Sequence, residues 1–167
     1  VSIYNYVNAI QEATETVINH GHRRVALVTG PMSHAINRLH RLVGYQAGLE
    51  AAGIEFDEGL LFTAHQDYAA GMQIAEKVLQ AGANAVIAYD DEVALGIMNY
   101  VQEHGQRVPE DFEIITSNDT KFAIVTRPEL TSIGQPKYDI GAVAMRMLTK
   151  LMNNEILTIH RYNYPIH

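Results

Sequence analysis

The sequence predicts an α/β domain built on a parallel sheet with helices on both faces. Two observations carry that prediction. Short, continuously apolar runs alternate with amphipathic stretches of helical period, and those stretches end repeatedly at a glycine. Runs that are apolar at every position, not every second one, belong to strands covered on both faces, as parallel strands are.

Taken in order, residues 5–20 form an opening helix that stops at Gly21. Val25-Ala26-Leu27-Val28 is the first buried strand. A helix over 35–52 follows and stops at Gly53. Leu60-Leu61-Phe62 is the second strand, and the helix over 69–81 ends at Gly82. Ala85-Val86-Ile87-Ala88 is the third strand. Asp91 is placed to cap a helix over 91–104, which Gly105 terminates. Ile114-Ile115 is the fourth strand, after which the rhythm changes. Residues 117–129 read as a loop or short helix, Leu130–Ile133 as a short strand and 137–152 as a final helix. The alternating tail over 157–166 is suited to an edge strand, and Ile133-Gly134-Gln135-Pro136 is the best linker candidate.

Composition narrows the function. Lys and Arg number 12 against 19 Asp and Glu, so the net charge is −7, which argues against this chain gripping nucleic acid by itself. The absence of cysteine excludes disulfides, iron–sulfur clusters and thiol catalysis. No apolar run reaches the ~18 residues of a membrane span. The chain opens on valine without a signal peptide, and is read as a segment of a longer protein.

Ligands of open α/β sheets bind outside the carboxyl ends of the strands. Here those ends carry Gly30-Pro31-Met32-Ser33, His65-Gln66-Asp67-Tyr68, Tyr89-Asp90-Asp91 and Thr116-Ser117-Asn118-Asp119, with Arg41 in reach of the same rim. Hydroxyl, amide and carboxylate groups in one crevice suit a neutral polyol or sugar. The same residue types also cap helices and form turns for local reasons, so the pattern leaves both roles open. No GxSxG elbow, P-loop or GxGxxG is present. Asp90-Asp91 reads as a cap before it reads as a catalytic pair. His20 and His22 flank Gly21 at a helix end and suit its last carbonyls, and no histidine spacing matches a metal motif. No metal and no cofactor are expected.

The final helix is amphipathic. Ile140, Val143, Ala144, Met147, Leu148 and Leu151 make a complete stripe expected to be buried. The opposite side presents Tyr138, Ala142, Met145, Arg146, Thr149 and Lys150, a surface suited to a protein partner bearing phosphate or carboxylate, or simply to solvent.

Residues at matching intervals along the whole chain resemble the regulatory core of the lactose-repressor/galactose-repressor (LacI/GalR) family. They are Gly21-His22-Arg23-Arg24, Gly30-Pro31, Arg41-Leu42-Val43-Gly44-Tyr45, Asp91-Glu92-Val93-Ala94-Leu95-Gly96, Val108-Pro109-Glu110-Asp111 and Pro128-Glu129-Leu130-Thr131-Ser132-Ile133. The resemblance implies a periplasmic-binding-protein-like fold of type I. Residues 1–132 would be the C-terminal sub-domain, 133–156 a returning segment of the N-terminal sub-domain, and 157–167 a tail back to the first. It implies a cytoplasmic, homodimeric, non-enzymatic bacterial transcription regulator of carbon-source genes, with no membrane contact. Operator DNA would be read through an N-terminal head outside this chain. Effector contacts would fall on Arg41, Asp90 and Asn118, with His65 and Gln66 beside them. The dimer surface would include Leu95, Met98, Val125 and Met72.

The stretch from Gln135 to Lys150 is similar to that of family members that take serine-phosphorylated phosphocarrier HPr as corepressor. That implies HPr contacts at Tyr138, Asp139, Ala142, Met145, Arg146 and Lys150. The alternative is a sensor of sugar or sugar phosphate, or a periplasmic sugar-binding protein, without a protein corepressor. Three departures bear on this. Thr116-Ser117-Asn118-Asp119 replaces Gly, an aromatic, Asp, and Asp or Asn; His65-Gln66 replaces an Asp-aromatic pair; and Tyr4 replaces a helix-starting Asp.

Overall fold

A computed structural model describes residues 6–31, 35–118, 120–134 and 137–155. The strands are β1 (Val25–Thr29), β2 (Leu61–Thr63), β3 (Ala85–Ala88), β4 (Glu113–Ser117) and β5 (Thr131–Ile133). The helices are α1 (Tyr6–Asn19), α2 (Ala35–Ala51), α3 (Tyr68–Gln80), α4 (Asp91–Glu103), α5 (Lys121–Val125) and α6 (Lys137–Met152). The five strands lie in the order β2-β1-β3-β4-β5. Every neighbouring pair is parallel.

Strand side chains alternate between faces, and both faces are dry. Val25, Leu27, Ala85 and Ile87 pack under α1 and α2 with Ile10, Val17 and Tyr45. Ala26, Val28, Val86 and Ala88 pack under α3 and α4 with Ile74, Val78, Val93 and Ile97. That double burial is why the strands are apolar at successive positions. The Tyr45 phenol solves its own burial by donating to the Val25 carbonyl at 2.6 Å.

Helices α1 to α4 each end two residues before the expected glycine. The pair α3 and α4 cross at very short range. A Cβ at Gly71 would collide with the Val93 carbonyl, and one at Gly96 with the Tyr68 carbonyl. Two glycines facing each other's helix backbone set the distance between these helices, and so seat α4 on the sheet.

Three expectations about these elements need correction. The cap of α4 is Asp90, one residue earlier than expected. Asp91 is instead buried, accepting from the Thr116 hydroxyl at 2.8 Å and the Thr120 amide at 2.6 Å. The two carboxylates therefore serve different neighbours and make no dyad. The side chains of His20 and His22 do not serve the end of α1, whose last carbonyls take their backbone amides instead. Their ring nitrogens lie 2.8 Å and 3.3 Å from the carboxylate of Glu113, which is buried at the start of β4 and draws both imidazoles to it.

The last correction concerns α6. Its apolar stripe is not buried: Ile140, Val143 and Met147 are half-covered, Ala144 is exposed, and Leu148 and Leu151 are 50% and 54% exposed. No described element packs extensively against this helix. The expected edge strand over 157–166, and Gln135 and Pro136 of the expected linker, fall outside the described residues, while Ile133 belongs to β5.

The Gly96 contact gives a direct test. Gly96→Ala should lower unfolding stability by about 1–3 kcal/mol, because a methyl group is driven into a neighbouring helix backbone. Gly141→Ala, where a Cβ meets nothing within 4 Å, should be neutral or stabilising by up to ~1 kcal/mol. Urea unfolding followed by circular dichroism measures both.

Candidate functional site

The carboxyl ends of β1, β2, β3 and β4 open on one side, and there they form a polar cleft of about 140 Å³. Gly30 and Pro31 line it from β1, Gln66 from β2, Tyr89 from β3 and Asn118 from β4; Asn37, Arg38 and Arg41 line it from α2. Asn37 and Arg38 each lie about one turn before Arg41, at i−4 and i−3, and flank it on that helix.

Asp90 organises the floor of the cleft. Its side chain is only 3% exposed. One oxygen, Oδ1, accepts the amides of Glu92 and Val93 at 2.9 Å and 3.3 Å, capping α4. The other, Oδ2, accepts from Gln66 Nε2 at 2.8 Å and from Asn118 Nδ2 at 3.1 Å. A carboxylate is an acceptor with about four lone-pair sites, and here four donors use them. The positive end of the α4 dipole favours the charge. The arrangement ties the mouths of β2, β3 and β4 to one atom pair.

This explains a departure noted in the sequence. A carboxylate at 118 would stand within hydrogen-bond distance of Asp90, and like charges at that range cannot both ionise. The amide of Asn118 supplies a donor instead. Its φ of 140° is one that a side chain rarely adopts, and the bond to Asp90 helps hold it there.

Arg41 is buried against the cleft wall. Its Nη2 donates to the Ser117 hydroxyl at 3.4 Å, and its guanidinium carbon lies 5.9 Å from the centre of the Tyr89 ring. The Tyr89 hydroxyl donates to the Ala64 carbonyl at 3.1 Å. Burial foremost, then the Asp90 charge, pushes the Tyr89 phenol up to about 12, against a smaller opposing pull from Arg41.

The expected effector residues divide. Arg41, Gln66 and Asn118 line the cleft. Asp90 lies behind them, its acceptor sites taken by the protein itself. His65 is exposed and lines no part of the cleft, because the chain turns so that its neighbour Gln66 points inward to Asp90. Met32, Ser33 and Asp119 fall outside the described residues. Arg38 and Asn37 were missed; their spacing from Arg41 was the available signal.

On α6, Tyr138 is 87% exposed, and Asp139, Met145, Arg146 and Lys150 are also exposed; Ala142 is half-covered. At spacings of one, four, seven, eight and twelve from Tyr138 they occupy one side of the helix. Of the expected dimer residues, Val125 is exposed, and Leu95 and Met72 are half-buried. Met98 is not a surface residue: it is 2% exposed, packed in the core beneath α3 and α4. Among the described residues, no group of three or more His, Asp or Glu side chains is placed to hold a metal, and no helix is long and apolar enough to cross a membrane.

A family model described as a periplasmic binding protein-like domain matches residues 14–167. The chain is 49% identical over 153 residues to catabolite control protein A of Streptococcus mutans, covering 92% of this chain and 46% of that protein. The crystal structure of the regulator CcpA of Lactococcus lactis superposes with a TM-score of 0.89 at 38% identity, covering 98% of this chain and 60% of that one. A complex of the transcriptional regulator CelR with cellobiose superposes with a TM-score of 0.87 at 30% identity, covering 98% and 50%. The chain thus spans about half the length of the curated relatives it matches.

The raised phenols make a titration prediction. Tyr45 is also pushed up, mainly by burial. Each folded value lies above that of the unfolded chain, so each tyrosine's stabilising effect is intact below pH ~10 and fades as pH rises through the folded value. Absorbance at 295 nm should show a late-ionising group to which Tyr89, held up to about 12, contributes. Tyr89→Phe should remove one member of that late group.

Proposed function

The chain belongs to the periplasmic-binding-protein-like family, as a LacI/GalR-type regulator core, and from that premise we propose that it is the effector- and corepressor-binding core of a cytoplasmic, non-enzymatic transcription regulator of carbon-source genes. In this reading α6 docks serine-phosphorylated HPr. The observation that carries it is the uncovered side of α6, where Tyr138 and Met145 offer apolar contact and Arg146 and Lys150 offer charge. Two cations a turn apart suit a phosphoserine and its acidic surroundings. Asp139, at the positive end of the helix, adds an acceptor for a basic side chain of the partner.

The same reading gives α6 to a second sub-domain. Residues 1–132 form the C-terminal sub-domain, 133–156 belong to the N-terminal one, and 157–167 return to the first. Support comes from the apolar stripe of α6, which finds no extensive packing among the described elements. Operator DNA is reached through a head outside this chain, in a homodimer that buries Val125 with Leu95 and Met72. Burial of Met98 takes that residue out of the interface.

A second reading is favoured by the cleft itself, whose lining combines Arg38 and Arg41 with the amides of Gln66 and Asn118. That set suits a sugar or, better, a sugar phosphate, the guanidiniums meeting the phosphate and the amides the hydroxyls. The cellobiose complex of the CelR relative is consistent with a ligand in a cleft of this fold.

Calorimetry separates the two. Arg146→Glu should weaken binding of phosphorylated HPr at least about tenfold, or ~1.4 kcal/mol, with sugar-phosphate binding intact. Unchanged HPr affinity would remove the corepressor reading. Arg41→Ala should abolish sugar-phosphate binding and leave HPr binding unchanged.

A further inference from the structure

Tyr89 was expected at a strand mouth but was given no role there, yet it touches every strand mouth of the cleft. Its amide donates to the Val28 carbonyl at 3.1 Å, within the β1–β3 pairing. Its hydroxyl reaches the Ala64 carbonyl, just past β2, at 3.1 Å. Its own carbonyl accepts from the Ser117 hydroxyl, at the end of β4, at 2.9 Å. The ring presses against the last residue before the β1 mouth: a Cβ at Gly30 would lie 2.9 Å from ring atom Cε2 and 3.2 Å from Cζ. Glycine at 30 is thus what admits the ring.

That anchored ring sits against Arg41. The guanidinium carbon at 5.9 Å from the ring centre is within cation–π range. Ser117 adds a second hold. Its hydroxyl donates to the Tyr89 carbonyl and accepts from Arg41 Nη2. One residue therefore steers the guanidinium by its ring and, through Ser117, by its backbone. An arginine so placed meets a ligand without first losing rotamer freedom, which favours affinity.

We propose that Tyr89 is the positioning residue of the cleft, holding Arg41 where the phosphate of a phosphorylated sugar must meet it, with Gly30 the gap that lets the ring in. The ligand class rests on the second reading above; the hold on Arg41 does not.

The experiment uses this chain, with glucose 6-phosphate and inorganic phosphate as probes, and two readouts: calorimetric affinity, and the NMR shift of the Arg41 Nε–H, which senses the ring. If the wild type binds a probe and Arg41→Ala loses it, Tyr89→Leu should weaken binding about tenfold. Tyr89→Phe, which keeps the ring, should weaken it less than about threefold. Wild-type affinity in Tyr89→Leu overturns the proposal. If the wild type binds neither probe, the sugar-phosphate reading fails alone, and the NMR arm decides the positioning. The Arg41 resonance should move in Tyr89→Leu and hold in Tyr89→Phe. An unmoved resonance in Tyr89→Leu overturns it. Should Tyr89→Leu not fold, Gly30→Ala replaces it: the phenol is kept but the ring displaced, and an unmoved Arg41 resonance there overturns the proposal equally.

Discussion

The cleft depends on one buried carboxylate. Asp90 accepts two backbone amides of α4 through one oxygen and two side-chain amides through the other. Parallel strands end in loops that have no reason of their own to converge. A charge sunk at the start of a helix supplies the reason, since leaving it unsatisfied would cost several kcal/mol. Gln66 and Asn118 come to the cleft because Asp90 needs them there. Their positions are set by the protein's own hydrogen bonds, and that preorganisation suits a small polar cleft to recognition.

The rest of the fold serves that placement. Dry packing on both sheet faces fixes the strands, and the mutual approach of Gly71 and Gly96 fixes α4 against α3. Asp91, facing away from Asp90, ties α4 to Thr116 and to the loop beyond β4. Consecutive carboxylates thus lock one helix end to two different strand ends. Among the described residues no element packs extensively against α6, and much of its amphipathic surface is exposed.

The order of strands and helices was readable from the sequence because each apolar run and each terminating glycine reports a local requirement. The convergence of strand mouths was readable from a rule about parallel sheets, and Arg41, Gln66 and Asn118 followed. What lay hidden needed partners distant in sequence. Capping by Asp90 and not Asp91 is decided by which carboxylate finds Thr116, and Thr116 lies 25 residues on. His20 and His22 looked like a helix end until Glu113, 93 residues beyond His20, was beside them. Met98 lies four residues after Ala94 and three before Val101, on the buried stripe of α4, so its helical spacing already pointed to the core. The stripe on α6 was correctly read as amphipathic, but periodicity cannot say what will cover a face.

The central claim is that Asp90 and Asn118 are complementary, an acceptor and a donor that set the cleft floor together. A double-mutant cycle between Asp90→Asn and Asn118→Asp tests it, since asparagine caps a helix about as well as aspartate and leaves α4 intact. Unfolding free energies should show each single variant destabilised, Asn118→Asp the more, and the exchanged pair recovering most of the loss, with a coupling above about 1 kcal/mol. Purely additive effects, with no recovery in the exchanged pair, would contradict the account.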